Sequence, residues 1–136
     1  KRGMPQDHQK ANELFLKAGE LGCASAYYNL GNSYYEGRGV VKRDIKKAKH
    51  YYQLAAVGGC VEARNNLGAL AGQAGNGRQA VKHFIMAAKA GYNKSLDQVK
   101  RGFIGGLVTK DEYASCFRAY HERQREMHSD AMDKAA

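Results

Sequence analysis

Tryptophan is absent from this 136-residue chain, proline occurs once and cysteine three times. With a single proline, little in the backbone interrupts helix formation. Cys23, Cys60 and Cys116 never fall in Cys-x2-Cys spacing, so neither a disulfide framework nor a zinc site is expected. They read as small buried or turn residues, and such usage favours a reducing, intracellular compartment. No apolar run approaches the roughly 18–20 residues that cross a bilayer, which argues against a membrane-spanning helix. Acidic residues are in deficit: 13 Asp and Glu stand against 22 Lys and Arg, a net charge of +9. The excess is uneven, with 14 Lys/Arg against 6 Asp/Glu in residues 1–92 and 8 against 7 in residues 93–136. Its densest part is Lys42, Arg43, Lys46, Lys47 and Lys49. Such a run is usually a solvated face, less often a contact for a partner or a nucleic acid.

Signatures of catalysis are missing as well. Gly37-Arg38-Gly39 lacks the Gly-Lys-Ser/Thr ending of a phosphate loop. His50, His83 and His121 have no HExxH or carboxylate-rich context and read as helix-face residues. Cys116 and His121 stand five apart on one expected helix, a poor geometry for a nucleophile and its base. The expectation is a non-enzymatic protein with no cofactor and no metal.

What the chain does contain is repetition. Ala26-x3-Leu30-Gly31 returns 37 residues later as Ala63-x3-Leu67-Gly68. In the same frame Gly22-Cys23 returns as Gly59-Cys60, Asp7-x3-Ala11 as Asp44-x3-Ala48, and Phe15-x2-Ala18 as Tyr52-x2-Ala55. A diverged third copy follows at an offset of 32: Phe84, Ala87, Ala88, Gly91, Ser95 and Val99. Recurrence at this period marks a solenoid, whose function is usually a binding surface. Ala48, Tyr51, Tyr52 and Ala55 fall at i, i+3, i+4 and i+7, one face of an α-helix. The same face recurs in Ala11, Leu14, Phe15 and Ala18, and in Ala80, His83, Phe84 and Ala87. Partner helices are expected near 24–35, 61–70 and 95–103, with Gly22, Gly58-Gly59 and Gly91 as helix stops.

Between the helices of a copy, Gly37-Arg38-Gly39-Val40 predicts a sharp turn that tucks Val40 inward, and Asp44 then caps the next helix. In the following copy the loop is expected to shorten to Gly72–Gly77. Arg2-Gly3-Met4-Pro5-Gln6-Asp7 looks like the close of such a loop, so the chain is expected to start mid-repeat, as part of a longer protein. Thr109-x2-Glu112 is a capping box. It opens a helix with the apolar stripe Tyr113, Cys116/Phe117, Tyr120, Met127 and Ala131, which turns polar after Tyr120 and is expected to project into solvent. The expected organisation is a repeat region over 1–108, its first repeat partial, and a capping helix over 109–136.

One copy carries nearly a full family motif in Ala26, Leu30, Gly31, Tyr34, Gly37, Gly39, Val40, Asp44, Lys47, Ala48, Tyr51, Tyr52, Ala55 and Ala56. This pattern resembles the Sel1-like repeat, a relative of the tetratricopeptide repeat. It covers about residues 1–105, with an extra residue between Val40 and Asp44 and with Val99-Lys100 in place of the third Leu-Gly. The resemblance implies an all-α solenoid, a right-handed superhelix of antiparallel helix pairs with a C-terminal capping helix. It also implies a scaffold or adaptor that binds a protein or peptide, because the first helix of each such repeat lines a concave face. With Ala26, Leu30 and Tyr34 in the core, that face would carry Tyr28, Asn32 and Tyr35 with Asn29 beside them. It would continue with Asn65, Asn66 and nearby Arg64, then with Asp97 and Arg101, and with Lys94 at the rim. Asparagine amides can grip a peptide backbone, tyrosines give rigid contact area, and the cations could meet a carboxylate. The alternatives are a nucleic-acid-binding repeat and a structural subunit of a larger assembly. A nucleic-acid track needs basic and stacking residues together. The basic cluster is expected on the outer surface, apart from the tyrosines, and that separation favours the peptide scaffold.

Overall fold

The computed structural model describes residues 4–38 and 41–135, and every regular element among them is an α-helix. In chain order these are α1 (Met4–Glu20), α2 (Ala24–Glu36), α3 (Ile45–Val57), α4 (Val61–Gln73), α5 (Gly77–Lys89), α6 (Asn93–Ile104) and α7 (Lys110–Ala135). Residues 2, 3, 39 and 40, which carry part of the expected turn pairing, lie outside the described residues. The helices form two compact units, Lys1–Leu67 and Gly68–Ala136.

Helices α1 to α6 all stop in the same way. A glycine at positive φ (Gly22, Gly37, Gly59, Gly75, Gly91 or Gly106) follows each one. The next N–H then donates back into the finished helix: Cys23 to the Ala18 carbonyl at 3.0 Å, Cys60 to Ala55 at 3.0 Å, Asn76 to Ala71 at 2.9 Å, and Tyr92 to Ala87 at 3.1 Å. Glycine alone takes this turn without strain, and the turn satisfies carbonyls that the helix end leaves open. Helix starts are equally local. Asp44 Oδ1 accepts from the Lys47 N–H at 3.1 Å, and Asn76 Oδ1 accepts from the Gln79 N–H at 3.2 Å. At α7 both bonds of the capping box form, Glu112 N–H to Thr109 Oγ1 at 3.0 Å and Thr109 N–H to Glu112 Oε1 at 2.8 Å. The Thr109 N–H holds the Glu112 carboxyl below its usual range.

The loop expected over 72–77 is corrected. Gly72 and Gln73 complete the last turn of α4, and only residues 74–76 connect it to α5. A lone glycine does not break a helix whose next residues still bond inward, and the stop is made one turn later by Gly75.

In unit 1, α1 packs on α2 and α2 on α3. The core is built from the repeated small and aromatic positions: Ala26, Leu30, Ala48, Tyr52, Ala55, Ala56, Ala63 and Leu67 are buried. The expected face of α1 is only partly used, since Leu14 is 57% exposed and Ala11, Phe15 and Ala18 are half-buried. Unlike α2, which has α1 on one side and α3 on the other, α1 packs chiefly against one neighbour, so its stripe is half covered.

The repeated Leu-Gly pair has a specific packing cause. A Cβ on Gly31 would lie 2.6 Å from the ring of Tyr52, and a Cβ on Gly68 would lie 2.6 Å from the ring of Phe84. Each glycine is the floor on which the next aromatic of the repeat lies.

Unit 2 encloses Ala80, Val81, Phe84, Ala88, Val99, Val108 and Cys116. Here α7 packs against both α5 and α6, with Cys116 and the flanking Val108 as its buried contributions. Gln124, part of the stretch expected to be polar and free, instead donates from Nε2 to the Gly91 carbonyl at 2.6 Å. Gly91 has φ +103°, and a Cβ there would meet Met127 Cε at 2.9 Å and Arg123 Cγ at 3.1 Å. Helix α7 is therefore held at a second point, two turns beyond Cys116. Gly91→Ala is expected to cost about 1–2 kcal/mol through its left-handed backbone alone. It should also raise amide exchange selectively over residues 120–131, read by hydrogen-exchange mass spectrometry. Unchanged exchange there would mean that the Gly91 contact does not hold α7.

Candidate interaction surface

In unit 1 the polar side chains of α2 are organised by Tyr52. This residue projects from α3, is 2% exposed, and donates its hydroxyl to Asn32 Oδ1 at 2.5 Å. Burial pushes its pKa up to about 12, while a hydrogen bond from Asn66 on α4 acts in the opposite direction. The ring of Tyr28 lies 6.0 Å from that of Tyr52, tilted by 39°. One buried phenol thus gathers three of the expected groove residues, Tyr28, Asn32 and Asn66.

The remaining expected positions are placed as follows. Asn29 Nδ2 donates to the Ser25 carbonyl of its own helix at 3.0 Å. Tyr35 is half-buried under the guanidinium of Arg43, whose Cζ stands 5.3 Å from the ring centroid and whose Nε donates to the Tyr35 carbonyl at 3.0 Å. Arg64 and Asn65 are half-buried on α4. The Arg64 side chain has no hydrogen bond or ion pair among the described residues. Lys94, Asp97 and Arg101 are exposed on α6, in unit 2; the spacing of seven residues puts Lys94 and Arg101 on one side of that helix.

The other side of α2 carries a row of tyrosines. Tyr51 is sandwiched between Tyr27 and Tyr34, with centroids 6.1 and 5.7 Å away and planes within 18° and 17°. Tyr34, expected in the core, is half-buried in this row. Lys47 Nζ sits 5.2 Å from the Tyr34 centroid. Burial raises the Tyr51 pKa as well. Between α1, α2 and α3 lies a cleft of about 190 Å³ with Leu16, Leu30, Tyr34, Val41 and Tyr51 among its walls. Asn12 borders it, and its buried Nδ2 finds no acceptor among the described residues.

These contacts correct the expected separation of basic and aromatic residues. Arg43 and Lys47 stand over Tyr35 and Tyr34, while Lys42, Lys46 and Lys49 stay exposed. The rings carry the protein's own cations or stack on each other, which uses the π-faces that a nucleobase would need. Sequence spacing held no signal for this, because Arg43 reaches Tyr35 across the turn between α2 and α3.

The cysteines are all free, and repeat-equivalent positions differ. Cys23 and Cys60 precede α2 and α4 at the turn. A hydrogen bond with Ser25 lowers the Cys23 pKa, whereas burial raises those of Cys60 and Cys116. Cys116 is fully buried while His121 is exposed, so the two do not pair. No three His, Cys, Asp or Glu among the described residues converge on a metal position, and no described helix is long and apolar enough to cross a membrane.

The sequence matches the Sel1 repeat family over residues 2–23, 24–59 and 61–92. Among solved structures it is similar to the crystal structure of a Sel1 repeat protein from Oxalobacter formigenes, with 26% identity and a TM-score of 0.67. That alignment covers 84% of this chain and 49% of the other, so the chain spans about half the length of that structure. No curated protein matches the sequence.

Proposed function

The chain belongs to the Sel1 repeat family, and from that premise we propose that it is a non-enzymatic interaction scaffold whose α2 face in unit 1 binds an extended peptide or a helix of a partner protein. Sel1 repeats are typically non-catalytic and serve protein assembly. The observation that supports this face is the set Tyr28, Asn32 and Tyr35, polar-tipped side chains on one helix that Tyr52 and Arg43 already hold in place. Side chains ordered before binding lose little further rotamer freedom, so contact with them is productive. The braced tyrosines add rigid contact area along their ring edges, and the half-buried Arg64 guanidinium can meet a carboxylate.

The test is affinity capture with the whole chain and two variants, followed by quantitative mass spectrometry and melting curves. Arg64→Glu should reduce recovery of the specific partner at least tenfold with no fall in melting temperature. Tyr28→Ala should reduce it similarly while costing about 1 kcal/mol of stability, since its ring is half-buried against Tyr52. Recovery that falls only in proportion to the loss of folded protein would sink this reading.

A further inference from the structure

We propose that unit 2 carries a second docking surface, on the exposed side of α6 and α7, suited to an acidic amphipathic helix of a partner protein. It lies beyond residue 92, where the matched repeats end, and is independent of the α2 face. Four rings form a continuous ladder there. Phe103 of α6 stacks on Tyr113 of α7 at 5.1 Å and 14°, Tyr113 meets Phe117 edge-on at 6.2 Å, and Phe117 meets His121 at 4.3 Å. Phe103 is 36% and Phe117 44% exposed, so the ladder is half open to solvent. Tyr113 packs in part against the core, whereas Phe103, Phe117 and His121 are exposed, and α7 is anchored apart from them through Cys116 and Gln124.

The spacing of the rungs points to a helix as the occupant. Tyr113, Phe117 and His121 stand four residues apart along α7 and form one ridge, which fits the groove between the side-chain rows of a second helix. The rings brace one another, which lowers the ordering cost of contact.

The charge pattern points to acidic chemistry. Arg118 and Arg125 lie seven residues apart on one side of α7 and line a cleft with Phe117, His121 and Glu122. Neither arginine has an ion-pair partner among the described residues, and Glu122 is the one carboxylate lining the cleft. A partner with Glu or Asp flanking its apolar stripe satisfies both guanidinium groups, while a basic partner is repelled.

The test uses fluorescence anisotropy on the whole chain with a fluorescein-labelled synthetic helix of about four turns. Its Leu residues stand at i, i+3, i+4 and i+7, with Glu on the flanks; a second version has Lys for Glu. The Glu helix should bind, the Lys helix at least tenfold more weakly. Both Phe117→Ala and Arg118→Glu/Arg125→Glu should weaken the Glu helix at least tenfold with unchanged circular dichroism, since these side chains are exposed. Tyr28→Ala and Arg64→Glu should leave it unaffected, which separates this surface from the α2 face. The proposal is overturned if the Glu helix does not bind, if both helices bind equally, or if either unit 2 variant binds like the parent. Tighter binding of a single-stranded oligonucleotide, or a dimer in sedimentation that Phe117→Ala dissociates, would also overturn it by assigning the rings to another occupant.

Discussion

Gly31→Ala is expected to destabilise the protein by about 2–3 kcal/mol, against the direction that helix propensity sets. In an exposed helix interior, alanine in place of glycine gains about 1 kcal/mol. At position 31 the added methyl lies 2.6 Å from the Tyr52 ring and 3.3 Å from the Ala48 carbonyl. Neither gives way easily. The ring is buried and its hydroxyl is bonded to Asn32, so moving it breaks a hydrogen bond, and the carbonyl is helical backbone. Forcing a methyl into such a site typically costs 1–3 kcal/mol, here with the added cost of disturbing a buried polar contact. In melting curves the shift is on the order of 10 °C downward. Gly68→Ala should act with the same sign through Phe84. Coupling between Gly68→Ala and Phe84→Leu in a double-mutant cycle then reports the contact itself. An increase in melting temperature for Gly31→Ala would show that propensity, not packing, explains the Leu-Gly pair.

Tyr52→Phe is expected to cost about 1–3 kcal/mol near neutral pH, and that cost should disappear in alkali. Removing the hydroxyl leaves Asn32 and Asn66 without their shared buried partner. The pH dependence follows from proton binding. An ordinary tyrosine loses its proton near pH 10, and Tyr52 in the folded state loses it near 12. Between these values the folded protein holds a proton that the unfolded chain has released. The contribution is therefore complete below about pH 10 and is lost as pH rises towards 12, in total roughly 2–3 kcal/mol for two pKa units. Tyr51 is raised in the same direction, but it is present in parent and variant alike. Urea unfolding at about pH 8 and pH 11 tests this. The parent should exceed Tyr52→Phe clearly at the lower pH and by much less at the higher one. A pH-independent difference would place the Tyr52 hydroxyl in a solvated site.

Both predictions involve residues whose importance could be read from the repeat before their partners were known. The pairing of Leu-Gly with a later aromatic recurs as Gly31 with Tyr52 and Gly68 with Phe84, although the separations are 21 and 16 residues. Recurrence identified positions with a packing duty, and the alanine stripes identified the faces. Asp44 and the Thr109–Glu112 box marked helix starts because capping is a contact within four residues. At two places the local signal is ambiguous. Gly72 resembled a loop residue but continues α4, and Leu14 belonged to an apolar stripe that has too little neighbouring surface to cover it.

The candidate site was less legible. Tyr28, Asn32 and Tyr35 could be assigned to one side of α2 by the helical period alone. That Asn32 and Asn66 serve the Tyr52 hydroxyl could not, since the acceptor and the second amide lie 20 and 14 residues from Tyr52. The ladder from Phe103 to His121 joins two helices across a turn, and only part of it was visible as the α7 stripe.

By itself the sequence determined the helices, the glycine stops at Gly22, Gly59 and Gly91, the alternation of small and aromatic core positions, and membership of the repeat family. Those features depend on backbone dihedrals and on contacts within a turn or a repeat, which a single strand of residues encodes directly. Only the tertiary structure decided which polar and charged side chains are already occupied. It placed Arg43 and Lys47 on tyrosine rings, Gln124 on the Gly91 carbonyl and Tyr52 between two asparagines, and it left Arg64, Arg118 and Arg125 without partners among the described residues. Hydrogen bonds and cation–π contacts need atoms within a few ångströms in space, and distance along the chain does not set that.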